Sequence, residues 1–165
     1  MGMAIHTVDL SGSTSYICDP KVLPLRDIPI LGVIHDQLAD ASMEKLIELA
    51  LHLPQGGALQ IEMKWSLESV RVLGEKLFKI LENIIERGRR LEDPARPKAE
   101  SLCGILVLLV SENIGKTLGE LVTHWRTLPV KLCVIDEIPK RRAQFIKIGK
   151  LQEGVLPVTF YGIEK

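Results

Sequence analysis

The sequence has little that would tie it to a charged partner or a membrane. Its 21 basic and 21 acidic side chains cancel, so no global pull toward nucleic acid or anionic lipid is expected. Its longest apolar run, Ile105 to Val110, is far short of the about 20 residues that a helical span requires. The first residues carry neither the basic start nor the apolar stretch of a signal peptide, and a cytoplasmic protein is expected. The cysteines Cys18, Cys103 and Cys133 form no Cys-x-x-Cys pair. They read as small buried hydrophobes in a reducing compartment rather than as metal or redox groups. The histidines His6, His35, His52 and His124 lack metal-ligand spacing. No serine sits in a Gly-x-Ser-x-Gly elbow, and no paired acid and base is visible.

What is present is a 165-residue chain, 46% hydrophobic and 25% charged, which suits one ordinary globular domain. Strand-like and helix-like segments alternate. Residues 28–34 read as a strand, 40–53 as a helix capped by Asp40 or Ser42, and 58–63 as a half-buried strand. Ser66 opens a long helix to about Arg89, with an apolar stripe from Val70 to Ile84. Residues 89–100, charged and with two prolines, read as an exposed loop. A fully apolar strand over 104–110, a helix over 115–125 with Trp125 inward, and a strand over 131–135 follow. The predicted fold is α/β: a mainly parallel sheet of about four strands with flanking helices, plus β-hairpin material at both ends, namely 5–10 with 14–18 and "QFIKIG" with "VLPVTFYGI".

In such a sheet the loops at the carboxyl ends of the strands are the working edge. They hold His35 and Asp36, then Lys64, Trp65 and Ser66, then Ser111, Glu112, Asn113, Gly115 and Lys116, then Asp136 and Glu137. These groups are either a candidate ligand or partner edge or simply the wetted ends of strands. "SENIGKTLG" resembles half of a P-loop, but Val110 stands where the phosphate cradle needs glycine, so a P-loop is not expected. Lys116 could still meet a phosphate or carboxylate at a helix N-terminus. Asp136-Glu137 could supply a base or a cap.

"VDLSGSTSYI" looks at first like the phosphate hairpin of actin-like ATPases, but that fold needs two lobes and one domain of this length cannot hold both. Three segments carry a different resemblance: "GMAIHTVDLSGSTSYI" with "VLPLRDIPI", "ILVLLVSENIGKTLGELV", and "LPVKLCVIDEIPKRRAQFIKIGKLQEGVLPVTFYGI". They are collinear over nearly the whole chain. Together they resemble the C-terminal part of the reactivating factor for ethanolamine ammonia-lyase, the ethanolamine utilisation protein A family.

That resemblance implies a C-terminal piece of a longer actin-like ATPase, with residues 1–165 as one α/β domain. It places Ser-Gly-Ser-Thr after the adenosine segment, so the hairpin is not the family's phosphate loop. Family members carry serine where this chain has Asp9. The vestigial nucleotide contacts are Gly2 and His6, and Ala4 replaces a second glycine. The fragment is expected to bind no cofactor, while ATP and magnesium serve the full-length protein. The implied function is the non-catalytic part of an ATP-dependent, chaperone-like factor that exchanges damaged cobalamin for adenosylcobalamin. The implied partners are ethanolamine ammonia-lyase and the chain's own upstream ATPase domain, with no nucleic acid and no membrane. The implied location is cytoplasmic, with the ethanolamine microcompartment as a candidate association. Two alternatives stay open: a stand-alone small-ligand or nucleotide-binding domain, and a structural cap on the ATPase lobe.

Overall fold

A computed structural model describes residues 6–11, 14–90, 104–139 and 142–162. For 6–11, 89 and 90 only the backbone is described. The elements run β1 (His6–Ser11), β2 (Tyr16–Ile17), a 3-10 turn (Pro20–Val22), β3 (Leu25–His35), α1 (Asp40–His52), β4 (Gly57–Glu62) and α2 (Leu67–Arg90). Then come β5 (Leu106–Leu109), α3 (Gly115–Val122), β6 (Leu132–Ile135), β7 (Phe145–Ile148) and β8 (Val155–Tyr161).

The predicted sheet is corrected by the observed one. It is a mixed sheet of eight strands in the order β1-β8-β7-β3-β4-β5-β6-β2. Three neighbouring pairs are parallel, β3·β4, β4·β5 and β5·β6. Four are antiparallel, β1·β8, β8·β7, β7·β3 and β6·β2. The sheet is therefore not mainly parallel. The expected N-terminal hairpin is also absent: β1 and β2 lie at opposite ends of the sheet, on β8 and β6.

The reason lies in what covers each face. Leu106 and Leu108 point to one side with Ile34, Leu59, Leu132 and Val134. There they meet all three helices, through Met43, Ile47 and Leu51 of α1, Leu73, Leu77 and Leu81 of α2, and Leu118 and Val122 of α3. Val107, Leu109, Cys133 and Ile135 point to the other side. Among the described residues, no helix covers them. They pack with Ile146, Ile148, Leu156, Val158 and Phe160 from β7 and β8. The alternating pattern "VLPVTFY" supplies this face, and its burial draws the antiparallel end over into a half-barrel. A run buried on both sides looks the same in sequence whether helices or strands cover it.

Helix ends show two local departures. Neither Asp40 nor Ser42 caps α1; the N-cap is Ala39, without a side-chain bond. The chain before α2 instead forms a reciprocal box, with Ser69 N–H donating to Ser66 Oγ at 3.0 Å and Ser66 N–H donating to Ser69 Oγ at 2.7 Å. After α3, His124, Trp125 and Arg126 all take left-handed backbone angles, with φ of 51°, 59° and 67°. Each costs about 1–2 kcal/mol for a residue with a Cβ. The turn throws Trp125 out of the core, to 66% exposure, against the inward placement expected from helical spacing.

Candidate functional site

Because β3, β4, β5 and β6 are consecutive in the sheet, the loops after them share one edge. The structure closes part of that edge around a single carboxylate. Asp136 follows β6 and is fully buried. Its Oδ1 accepts from Thr14 Oγ1 at 2.8 Å and from Ser15 Oγ at 3.0 Å. Its Oδ2 accepts from the Gly115 backbone N–H at 2.8 Å. Its own N–H donates to Ser15 Oγ at 3.2 Å. Lys116 N–H donates to the Thr14 carbonyl at 2.8 Å.

The local logic is that of a helix cap supplied from another strand. The N-cap residue of α3 is Ile114, whose side chain cannot accept a bond. The first N–H groups of the helix therefore need outside acceptors. Asp136 provides one, with a negative charge at the positive end of the helix dipole. Thr14 provides another through its carbonyl. Two glycines make the approach possible. A Cβ on Gly115 would lie 2.6 Å from the Thr14 carbonyl oxygen and 2.9 Å from Asp136 Oδ2. A Cβ on Gly119 would lie 2.1 Å from Tyr16 Cγ. "GKTLG" is thus a packing motif for the 14–16 segment.

Of the residues that the sequence placed on this edge, the structure joins Asp136 and Gly115, and adds Thr14 and Ser15, which sequence reasoning missed. Their signal was the Ser-Gly-Ser-Thr-Ser run, whose pairing with a strand end some 120 residues later has no local trace. The others stand apart. Lys116, Asn113 and Glu137 are exposed, and Glu137 has a left-handed φ of 60°. His35, the last residue of β3, and Asp36 just past it are exposed, with His35 Nδ1 accepting from Gln37 N–H at 3.2 Å. Trp65 is half-buried, and its indole N–H has no hydrogen-bond partner among the described residues. A cavity of about 270 Å³ on this edge is lined by Gln60, Glu62, Leu109 and Ser111 rather than by those groups. Gly2 and the side chain of His6 lie outside the described residues.

The arrangement fits structural clamping better than phosphate chemistry. Both oxygens of Asp136 and the first N–H groups of α3 are engaged within the chain. These residues do not fit a magnesium nucleotide. Among the described residues, no group of three or more His, Cys, Asp and Glu side chains could hold a metal ion. No helix among them is long and apolar enough to cross a membrane.

The thiols are closer than their sequence spacing implied. Ile17 pairs with Cys133 across β2 and β6, and Cys18 N–H donates to the Leu132 carbonyl at 3.1 Å. A hydrogen bond from the Cys133 thiol lowers Cys18 to about 6, against an opposing push from burial. The same bond, together with burial, raises Cys133. Cys133 is buried, as the sequence suggested; Cys18 is only partly so, and Cys103 lies outside the described residues.

An α/β layer with a half-barrel β extension and an internal carboxylate clamp defines the class of scaffold. Comparison with known families is more specific. The family model described as ethanolamine utilisation protein EutA matches residues 1–163, and the chain belongs to that family. The chain therefore takes part in ethanolamine utilisation. No curated protein and no solved structure matches it.

Proposed function

We propose that the chain is the non-catalytic, partner-coupling part of an ATP-dependent reactivating factor. The factor exchanges damaged cobalamin for adenosylcobalamin in ethanolamine ammonia-lyase. ATP and magnesium belong, on this reading, to an upstream actin-like ATPase region. The observation that carries the reading is the closed state of the Asp136 clamp. Among the described residues, the place where a carboxylate, hydroxyls and a helix N-terminus meet uses both carboxylate oxygens, both hydroxyls and the Gly115 and Lys116 N–H groups to hold segment 14–16 to α3 and β6.

A coupling role needs a surface, and the turn at 124–126 offers one. It is held by Trp125 N–H donating to the Glu120 carbonyl at 2.7 Å. Arg126 is fixed over the Tyr16 ring at 4.6 Å and donates to the Cys18 carbonyl at 3.1 Å. A strained, well-anchored turn that exposes a tryptophan suits a protein contact, since tryptophan is enriched among residues that dominate binding energy. The test is ATP hydrolysis and lyase binding by the purified chain. The reading expects no phosphate release and a complex with the lyase that Trp125→Ala weakens. Phosphate release by the chain alone would overturn it.

A further inference from the structure

The opposite edge of the sheet carries a second cavity, remote from the Asp136 clamp. It lies at the amino ends of the parallel strands, between the segment leading into β3, the turn before β4, and the residues just ahead of β5 and β6. Its volume is about 450 Å³, within the range of small-molecule sites, roughly 300–1,000 Å³. Three cations line it, Lys21, Arg26 and Lys131, and no aspartate or glutamate does. None of the three has an acidic partner among the described residues.

The nearest acids in sequence are already occupied. Asp27 accepts from the Tyr161 hydroxyl. Asp19 accepts from the Lys21 backbone N–H at 3.0 Å, closing the 3-10 turn. A chain with no net charge thus gathers three unpaired cations into one concavity. Such a grouping repels itself when empty and is relieved by a multivalent anion. Apart from Gln55 the remaining wall is apolar, with Pro24 exposed and Ile28 and Ile105 buried.

We propose that this cavity binds a small phosphate ester: the phosphate between Arg26 and the two lysines, the organic body against Pro24, Ile28 and Ile105. Three cations match a phosphate dianion better than a single carboxylate, and the guanidinium fork suits phosphate oxygens. The site's volume of about 450 Å³ and the lack of net positive charge on the chain set it apart from a groove for nucleic acid or a long acidic peptide. The proposal stands independently of the lyase-coupling reading.

The test is calorimetric titration of the chain with phenyl phosphate, inorganic phosphate, citrate and poly-glutamate. Saturable one-to-one binding is expected for phenyl phosphate, with weaker binding of inorganic phosphate. Arg26→Ala and Lys131→Gln, both at exposed side chains, should each weaken it about tenfold, as expected for one lost charge-assisted contact. Lys45→Gln on α1 should leave it unchanged. Methyl NMR shifts should fall on Ile28 and Ile105. No saturable binding, undiminished binding by the Arg26→Ala, Lys131→Gln double variant, tighter binding of citrate or poly-glutamate, or shifts confined to the Lys116 edge would each overturn the proposal.

Discussion

Replacing Asp136 by asparagine keeps the side chain's shape and removes its charge. The carboxylate accepts three hydrogen bonds in a site closed to water, two from hydroxyls and one from the Gly115 N–H. Asparagine has only one acceptor atom. If its oxygen faces Gly115, its amide must donate to Thr14 and Ser15, whose hydroxyls then have to turn around. Ser15 Oγ already accepts from the Asp136 N–H, so one oxygen would take two donors. If the amide faces Gly115 instead, donor meets donor at the first N–H of α3. Hydrogen bonds to a charged group contribute about 1.5–3 kcal/mol each, and neutral ones about half that. Losing the charge across three bonds should therefore cost about 2–4 kcal/mol. That is a large share of the about 5–15 kcal/mol that holds a domain folded.

Asp136→Ala should cost at least as much, because it strands all three donors. Urea unfolding followed by circular dichroism measures both. A double-mutant cycle with Ser15→Ala should show coupling of about 1 kcal/mol or more. A midpoint for Asp136→Asn within about 0.5 kcal/mol of the parent, at unchanged slope, would refute the clamp.

Gly119→Ala should destabilise by about 1–3 kcal/mol, the usual range for overpacking, because its methyl would strike the Tyr16 ring; an unchanged melting temperature would contradict the packing argument. In a Cys103→Ser background, alkylation of Cys18 should follow a titration near pH 6 and move upward when Cys133→Ala removes the donated hydrogen bond. A midpoint near the ordinary thiol value would show that the two sulfurs are not paired. Burial and the bond to Asp27 raise Tyr161 from 10.0 to about 12, so the folded state holds that proton longer than the unfolded chain does. Its contribution to stability should be complete below about pH 10 and fall away as pH rises through about 12, and Asp27→Ala should reduce that dependence.

Much of the architecture could be read from local patterns. The apolar stripe of α2, the Ser66 start and the fully buried runs at β5 and β6 all follow from periodicity and composition. What the patterns could not carry was pairing. The segments around 5–10 and 14–18 are adjacent strand-like runs, which by proximity suggest a hairpin, yet they end on opposite sides of the sheet. The residues of β8 alternate as any half-buried strand does, and nothing local says that they cover the face of β5 and β6 turned away from the three helices. The clamp was half visible. Asp136 stood out at a strand end and Gly115 at a helix start, but their partners Thr14 and Ser15 come from a segment whose likeness to a phosphate hairpin drew attention elsewhere. Trp125 was misplaced because helical spacing was extended past Val122, where three left-handed residues end the helix.

The central claim is that this chain couples to ethanolamine ammonia-lyase without performing chemistry of its own. Sedimentation velocity of the lyase with the purified chain, in the absence of ATP, tests it most directly. Co-sedimentation that is lost with Trp125→Ala and kept with Lys45→Gln is the expected result. Separate boundaries for the lyase and the parent chain at every concentration tried would contradict it.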